Sequence, residues 1–419
     1  MSRANISPNA LKVLYRLKSA GYQAHLVGGG VRDLLLGREP KDFDIATDAS
    51  PEQVRDTFRN CRLIGRRFRL AHVQFGREII EVATFRAGQD TQLAEPLQTD
   101  EGMLLRDNVY GTIEQDALRR DFTVNALYYN IADFSIIDYA GGVEDLNNGV
   151  LRLLGDPETR YREDPVRMLR AVRFAAKLGF RVAPETESPV SEFAPLLAEI
   201  PAARLFEETL KLFLGGSAVA GFEKLRQYGL FAQLFPDTDA SLAILDHEFP
   251  LTLVLNGLKN TDNRVREDKP VTPAFLFAVL LWEPVRQRAA ELEAGGAVPY
   301  QSIQKAAGEV VSRQIQRVSL PRRFSTPMQE IWTLQTRFTQ TRGKRPLKLL
   351  THPRFRAAYD FLLLRAASGE ADSELAAWWT EFQDGHADAP APTESRPAGG
   401  RSRRGGRRRR RKPASAGEG

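Results

Sequence analysis

Cysteine is almost absent from this sequence: the 419 residues include one, Cys61. A single cysteine excludes an internal disulfide and a zinc site built on cysteine ligands. The five histidines show no HxxxH spacing and no paired cluster. No apolar run approaches the roughly 18 residues that a membrane span requires, and the first residues lead into a helical pattern rather than an apolar signal core. These absences favour a cytoplasmic protein without a membrane partner.

Positive charge is uneven along the chain. The net charge of +6 results from 59 basic and 53 acidic residues, and nine of the basic residues lie between Arg401 and Lys412. Without residues 401–419, which also contain one acid, 50 basic and 52 acidic residues remain. Ala, Pro, Gly and Ser are abundant just before the arginines, so residues 386–419 are expected to form a disordered Arg-rich tail. Such a tail suits sequence-independent contact with RNA phosphates; the alternative is a solvated tail without a target.

Strand and helix patterns alternate in the first part of the chain. The pattern predicts a helix over residues 8–21, a strand over 24–27, a helix over 31–36, a strand over 42–47, a helix that begins at Ser50 and Pro51, and strands over 70–75 and 79–85. Apolar runs at residues 122–124 and 136–139 bracket one more α/β unit.

Helical patterns dominate from about residue 157 to about residue 382. We therefore expect an α+β protein, in which a mixed sheet with helices is followed by helices alone. The expected domains are a head of residues 1–150, a helical neck of residues 151–235, a helical body of residues 236–385 and the tail.

Two aspartates, Asp42 and Asp44, lie on one predicted strand, so that both carboxylates leave the same face. Such a pair suits Mg²⁺, which keeps coordination positions for substrate phosphates, although the pattern alone is more often a polar strand face. Gly28, Gly29 and Gly30 lie upstream between a strand and a helix, where backbone N–H groups can bind a triphosphate. The whole succession within about 25 residues indicates a phosphate-binding site with one or two Mg²⁺ ions much more strongly than either motif alone.

A two-metal site usually takes a third carboxylate from a neighbouring strand. Glu81 lies in an otherwise apolar predicted strand, where a glutamate without a function is unexpected. Asp121 follows Arg119 and Arg120, which could pair with it in a structural salt bridge. We favour Glu81 as the third metal ligand and Asp121 as a catalytic residue that positions the nucleotide, and the choice stays open.

Three ordered motifs resemble those of the tRNA nucleotidyltransferase/poly(A) polymerase family, which belongs to the polymerase-β-like superfamily. They are residues 26–47 (LVGGGVRDLLLG, then PKDFDIAT), residues 119–127 (RRDFTVNAL) and residues 161–180 (YREDPVRMLRAVRFAAKLGF). The resemblance covers about residues 10–235. It implies a catalytic polymerase-β-like nucleotidyltransferase head with two Mg²⁺ ions and ATP as the substrate, a neck that recognises the base and a body that binds RNA.

The resemblance also implies roles for arginines and for one aspartate. The second motif would select the ribose. Asp164 and Arg167 would lie on one face of a helix and read the incoming base. In a helix of unknown function, an aspartate and an arginine at this spacing are more simply interpreted as an i,i+3 ion pair. Arg32 would hold the triphosphate together with the glycine turn. Arg170 and Arg173 would extend the base-reading face towards the triphosphate or the base. Residues 201–208 are expected to form a helix that packs without a chemical role, and Trp378 and Trp379 are expected to pack in a hydrophobic core.

Arg66, Arg67 and Arg69 surround an aromatic residue just before the strand predicted at residues 70–75. Such a patch suits an RNA backbone or a triphosphate, and a solvated basic loop is the alternative. The run GRRFRLAHV resembles the poly(A) polymerase branch of the family rather than the CCA-adding branch. His72 within this run is more often a structural residue than a phosphate ligand.

The sequence therefore predicts template-independent addition of AMP from ATP to RNA 3′ ends, which would promote RNA turnover, with RNA-degradation or RNA-chaperone proteins as possible partners. A CCA-adding or A-adding tRNA nucleotidyltransferase is the first alternative. A non-catalytic RNA-binding protein on the same fold is the second.

Overall fold

The computed structural model describes residues 3–65, 69–87, 110–243 and 249–386. Within them a head of mixed sheet and helices is followed by a chain that is helical apart from one short strand, so the predicted α+β class is confirmed. None of the described helices is both long and apolar enough to cross a membrane. The predicted tail, from residue 387 onward, lies outside the described residues.

In the described part of the head, one sheet contains seven strands. They are β1 (Ala24–Val27), β2 (Asp44–Thr47), β3 (Cys61–Ile64), β4 (Leu70–Phe75), β5 (Glu78–Thr84), β6 (Leu127–Asn130) and β7 (Ile136–Asp138). Their order is β3-β4-β5-β2-β1-β6-β7. Neighbours are antiparallel except β2 and β5, which are parallel. The central strands β1 and β2 are therefore covered on both edges, which suits their mostly apolar sequences.

Two strands of this sheet were not predicted: β3, and β6, which lies between the two apolar runs at residues 122–124 and 136–139. β3 is an edge strand that pairs with β4 alone, and its residues are half-buried or exposed. The strong apolar alternation that marks a half-buried strand is therefore missing from its sequence. Of the two apolar runs in the second part of the head, the later one forms β7, whereas Phe122 in the earlier one makes only an isolated bridge to Leu153.

Five described helices accompany the sheet: α1 (Pro8–Ser19), α2 (Gly29–Leu35), α3 (Pro51–Thr57), α4 (Ile113–Leu118) and α5 (Gly142–Asn147). Ser50 caps α3 in a reciprocal capping box with Gln53, as predicted for its N-cap position. Apolar residues of α1 and α3 share a core with Leu26 and Ile45 of the central strands. On the other face of the sheet, a smaller cluster contains Val27, Ala46, Phe85, Ala117 and Tyr128.

The described chain beyond the head is helical. Its helices are α6 (Pro157–Glu163), α7 (Val166–Leu178), α8 (Pro184–Glu187), α9 (Val190–Phe193), α10 (Ala202–Phe213), α11 (Ala218–Gln227), α12 (Leu230–Leu234), α13 (Pro236–Leu242), α14 (Phe249–Arg266), α15 (Pro273–Leu280), α16 (Trp282–Ala294), α17 (Pro299–Gln314), α18 (Arg322–Phe338), α19 (Arg345–Leu350), α20 (Phe355–Ala367) and α21 (Ser373–Asp384). A parallel pair of short strands, β8 (Val150–Leu151) and β9 (Arg181–Val182), lies where the head joins these helices.

The last four helices, α18 to α21, share a hydrophobic core of their own. Trp379 is fully buried in this core and donates from Nε1 to the carbonyl oxygen of Phe338 at 2.8 Å. Trp378 is half-buried and stacks on Phe382. The expectation that the two tryptophans pack in a core is confirmed.

Candidate active site

A row of side chains crosses the sheet at the level of Asp44. In the strand register Asp44 faces Val27 of β1 on one side and Glu81 of β5 on the other. Residues that are paired in register point to the same face of a sheet, so the side chains of Asp44 and Glu81 are neighbours on that face. Val27 ends β1 and is followed by Gly28. The acidic residues and the glycine turn therefore meet at one place.

Asp42 lies just ahead of β2 and not on it, which corrects the strand predicted over residues 42–47. β1 ends at Val27, which pairs with Asp44, and the pairing of β2 with β5 also begins at Asp44, so the residues before Asp44 have no strand partner. Asp42 is still close to the glycine turn, because its carbonyl oxygen lies 3.3 Å from the position that a Cβ on Gly30 would take. A side chain at Gly30 would thus push the two motifs apart.

The pKa of Asp44 is raised to about 6. Burial of the carboxyl is the largest cause, the negative charges of Glu81 and Asp42 add to it, and the positive charge of Arg120 opposes them. Although protein encloses much of the carboxyl, the residue as a whole still reaches solvent, where water offsets part of the cost of its charge. A carboxyl whose pKa is raised by burial and by two neighbouring negative charges is in the electrostatic environment that a divalent cation would relieve.

Glu81 has a second neighbour in the row. His72 of β4 is paired with it in register, and Nε2 of His72 lies 3.2 Å from Oε1 of Glu81. In the described residues no group of three or more His, Cys, Asp or Glu side chains is arranged to hold a metal ion. The assignment of Glu81 as third ligand to Asp42 and Asp44 therefore stays a prediction. An open pair of carboxylates still fits Mg²⁺, which takes its other oxygen ligands from water and phosphates.

The glycine turn has a backbone conformation that favours glycine. Gly28 has a φ of 73°, in the left-handed region. Its N–H donates to the carbonyl oxygen of Leu127 at 3.2 Å, so this group is already used. A Cβ on Gly28 would lie 3.6 Å from Nη1 of Arg120. The predicted triphosphate contacts are therefore left to the backbone of Gly29 and Gly30, which begin α2.

Arg32 is buried rather than open to the site. Its Nε and Nη2 donate to Oδ1 of Asp33 at 2.8 and 2.7 Å, and its Nη1 donates to Oδ1 of Asn125 at 2.5 Å. The guanidinium also lies over the ring of Phe174, 5.3 Å from its centroid. Its contact with a triphosphate stays a prediction. In the structure Arg32 connects the glycine turn with the second motif and with α7.

The side chain of Asp116 organises both arginines of the second motif, a role that the sequence analysis missed. Its Oδ1 accepts from Nε and Nη2 of Arg119 at 3.0 and 2.8 Å. Its Oδ2 accepts from Nη2 of Arg120 at 3.0 Å and from the hydroxyl of Tyr128 at 2.6 Å. Although burial acts most strongly and raises the pKa of Asp116, the charges of Arg120 and Arg119 and the hydrogen bond from Tyr128 bring it below its usual value. The available signal was the spacing of three and four residues between this acid and the arginines.

Asp121 is paired with the neck and not with the neighbouring arginines of its own motif. Its Oδ2 lies 2.5 Å from Nη2 of Arg170 on α7. Close by, Nη2 of Arg160 on α6 donates to the carbonyl oxygens of Arg119 and Arg120 at 2.9 and 2.7 Å. Two arginines from the neck thus bind the second motif of the head. The structure therefore places Asp121 between the sheet-containing head and the helices that follow it.

Asp164 and Arg167 do not share a helical face, which corrects the prediction. Asp164 ends α6 in an extended conformation, with φ −149° and ψ 91°, because Pro165 follows and disfavours the helical conformation at the residue before it. Arg167 pairs with Glu163 at 2.9 Å. Asp164 pairs instead with Nη2 of Arg204 on α10, at 2.7 Å. The expectation that residues 201–208 only pack was therefore incomplete.

These side chains converge on one cavity. It has a volume of about 270 Å³ and is lined by Arg119, Arg120, Asp121, Asp164, Arg167 and Arg170. Three residues of the head's second motif and the residues expected to read the base thus face the same space. Four guanidinium groups and two carboxylates around a small cavity suit a ligand that carries both phosphates and polar groups.

Two of the predicted binding residues lie elsewhere. Arg173 points towards Glu208, with 3.5 Å between its Nε and Oε2 of the glutamate, and does not line the cavity. Arg69 pairs with Glu52 at 2.6 Å, and both side chains are exposed. The other two arginines of that patch lie at residues 66 and 67, outside the described residues. The RNA-binding role of the patch stays a prediction.

The chain is similar along almost its whole length to a named enzyme. It is 52% identical to poly(A) polymerase I from Salmonella typhi over 403 residues, which cover 94% of this chain and 85% of that protein. The chain belongs to the poly(A) polymerase I family. It is accordingly a nucleotidyltransferase. Three family models match it: the poly A polymerase head domain at residues 24–152, the probable RNA and SrmB-binding site of polymerase A at 179–242, and the polymerase A arginine-rich C-terminus at 295–414.

The poly(A) polymerase I family shares its fold with tRNA-processing enzymes. The CCA-adding enzyme of Bacillus subtilis (strain 168) is 38% identical over 226 residues, which cover 54% of this chain and 55% of that enzyme. A solved tRNA-processing enzyme, in its complex 3, matches with a TM-score of 0.64 and 22% identity, and the match covers 91% of this chain and 93% of the other. The acidic row and the glycine turn of this poly(A) polymerase family member all lie within the head-domain match.

Proposed function

We propose that this protein adds AMP from ATP to RNA 3′ ends without a template, as a polynucleotide adenylyltransferase. The observation that carries the proposal is the extent of similarity. Identity to a poly(A) polymerase I extends over 94% of the chain, whereas identity to a CCA-adding enzyme extends over 54%. A tRNA nucleotidyltransferase activity is the alternative, because the fold is common to both. The intact acidic pair and glycine turn argue against a non-catalytic RNA-binding protein.

The transfer step is assigned to the acidic row. Two Mg²⁺ ions, when bound, would neutralise charge on the triphosphate and favour deprotonation of the RNA 3′-hydroxyl. Asp42 and Asp44 would hold them, with Glu81 as the proposed third ligand. The raised pKa of Asp44 supports this assignment, since these carboxylates repel one another in the protein alone. Their position beside Gly28 would bring the phosphates of ATP to the same part of the sheet.

The cavity between head and neck would hold the nucleotide. Its arginines supply the charge-assisted hydrogen bonds that phosphates accept, and Asp121, fixed by Arg170, would position the ribose. Asp164 would accept from the amino group of adenine, and Arg167 would donate to a ring nitrogen. RNA turnover as the biological role, the cytoplasm as the compartment and RNA-degradation or RNA-chaperone proteins as partners are parts of the same proposal.

An incorporation assay with each of the four nucleoside triphosphates tests the proposed function. The purified protein, Mg²⁺ and a single-stranded RNA should yield long products with ATP and little extension with CTP, GTP or UTP. A tRNA that lacks its 3′ terminus is the second substrate. Efficient CTP incorporation onto this tRNA would establish the alternative activity, and RNA binding without any incorporation would establish a non-catalytic protein.

The variant Arg204→Ala tests how the base is read. Without Arg204, the Asp164 carboxylate loses the partner that orients it, so we expect the KM for ATP to rise roughly tenfold and the preference for ATP over CTP to fall, with a smaller change in kcat. Arg204→Lys keeps the positive charge and should restore part of the preference. Lys211→Ala, on the same helix and paired with Glu208, is the control. An unchanged KM and an unchanged ATP preference would show that Arg204 does not act through Asp164.

A further inference from the structure

The segment at the start of α19 carries unusually dense positive charge. Arg342, Lys344, Arg345 and Lys348 lie within seven consecutive residues, and all four are exposed. We call these four residues the α19 surface. Between residues 338 and 359 the sequence contains no aspartate or glutamate. The positive charge of the α19 surface therefore has no acidic neighbour along the chain.

The four cations of the α19 surface also lack a side-chain partner in the part of the chain that the structure describes. Within the described residues none of them forms a side-chain hydrogen bond or an ion pair, whereas other arginines of the body are paired with acids. The paired examples are Arg288 with Glu309, Arg313 with Asp237, Arg354 with Glu330 and Arg356 with Asp360. A cluster of like charges without counter-ions repels itself, and an anionic partner would relieve that repulsion.

The α19 surface is held by the core beneath it. Pro346 lies between the cations in the sequence and Leu349 directly follows the last of them; both are buried, and Leu349 belongs to the same core as Trp379 of α21. The described chain ends just after α21, at residue 386. The helix α19 therefore shares a small hydrophobic core with α21, the last described helix before the arginine-rich residues 401–412 in the sequence.

We propose that the α19 surface binds the phosphates of single-stranded RNA, upstream of the 3′ end that is extended. This inference rests on the proposed function. No aromatic residue lies among the seven residues, and the exposed apolar side chain there is Leu347, so contact with phosphates is favoured over stacking on bases. Such binding is independent of RNA sequence, as a polymerase that accepts many RNA ends requires. It also places the RNA on the part of the body whose core includes α21, the last described helix.

The test compares two variants of the full-length protein that lose equal charge. In the first, the α19 surface is neutralised (R342Q, K344Q, R345Q, K348Q). In the control, four dispersed exposed cations of α14 and of α17 and the turn after it are neutralised (K259Q, R266Q, K305Q, R317Q). The affinity for a fluorescein-labelled oligoadenylate of about 20 nucleotides, long enough for several phosphate contacts, is measured by anisotropy over a range of salt concentrations.

Neutralising the α19 surface should weaken RNA binding roughly tenfold or more at low salt. It should also make the slope of log affinity against log salt shallower by about 3, from about 0.7 for each of four phosphates. The KM for RNA should rise while the KM for ATP and kcat stay unchanged. The R342K, R345K variant should behave as the wild type, since a lysine also neutralises a phosphate. The dispersed control should show less than half of the change in slope.

An unchanged salt slope in the first variant, or an equal loss of RNA affinity in the dispersed control, would overturn the proposal. So would a first variant that binds RNA normally but no longer binds phosphatidylglycerol vesicles, because that result would indicate a membrane surface as the partner. Thermal unfolding of each variant separates misfolding from lost contacts. The anisotropy readout needs no nucleotide incorporation. A wild-type protein that binds RNA but adds no AMP would therefore refute the proposed function and leave the binding result interpretable.

Discussion

Asp44→Asn is expected to reduce AMP incorporation by a factor on the order of 10³, the size typical for the loss of a group that stabilises charge in a transition state. The substitution would keep the shape of the side chain and remove the charge that is proposed to hold Mg²⁺. Single-turnover incorporation of AMP at saturating ATP and RNA measures the effect. Binding of ATP without metal should change little, because the cavity residues are untouched.

In the absence of divalent cations, the same substitution should not lower the free energy of unfolding, although it lowers activity. A carboxyl whose pKa is about 6 in the folded protein and about 3.8 in the unfolded chain favours folding below pH 4. That contribution is lost as the pH rises through 6. Asp44→Asn removes this pH dependence, so above pH 6 the metal-free variant should be as stable as the wild type or slightly more so. Solvent access at Asp44 limits the gain to roughly 1 kcal/mol.

Asp56→Asn is the matched control for Asp44→Asn, because Asp56 is an exposed acid of the head whose ion pair with Arg55 lies at the surface. It should change neither incorporation nor the pH dependence of unfolding. Urea unfolding between pH 4 and pH 7, with and without Mg²⁺, completes the comparison. Near-normal incorporation by Asp44→Asn would exclude Asp44 as a metal ligand.

Asp116→Ala should lower the free energy of unfolding by about 3–5 kcal/mol, the cost of removing one partner from a buried ion pair. The Asp116 side chain is 2% exposed and accepts from Arg119, Arg120 and Tyr128. Without it these donors lose their partner, and two guanidinium groups repel each other in a poorly hydrated place. Urea denaturation followed by circular dichroism measures the loss.

Activity should fall as well, because Asp116 holds Arg120 and Arg119 at the nucleotide cavity. Asp116→Asn keeps one acceptor and should lie between the wild type and Asp116→Ala in both measurements. Asp237→Ala is the control: Asp237 also pairs with an arginine, Arg313, but at the surface, where such a pair contributes less than about 1 kcal/mol. Equal destabilisation by the two alanine variants would contradict the buried-network interpretation.

Local patterns in the sequence were sufficient for the class of fold and for the parts of the site that lie close together in the chain. The strand at residues 24–27, the cap at Ser50 and the change to a helical chain beyond the head follow from periodicity and capping over a few residues, and the structure has them. The glycine turn and the acidic pair are within about 25 residues. Their proximity therefore needs no knowledge of distant packing.

Which residues pair with each other was decided only by the tertiary structure. Asp164 does not share a helical face with Arg167, because a proline follows it, and α10 brings its partner Arg204 within 2.7 Å. Asp121 meets Arg170 of the neck rather than the arginines beside it, and the parallel pairing of β2 with β5 brings Glu81 next to Asp44. Residue type and spacing indicate which groups carry charge. The partner of each charge depends on the packing of elements that are distant in the chain, and periodicity within one element contains no information about that packing.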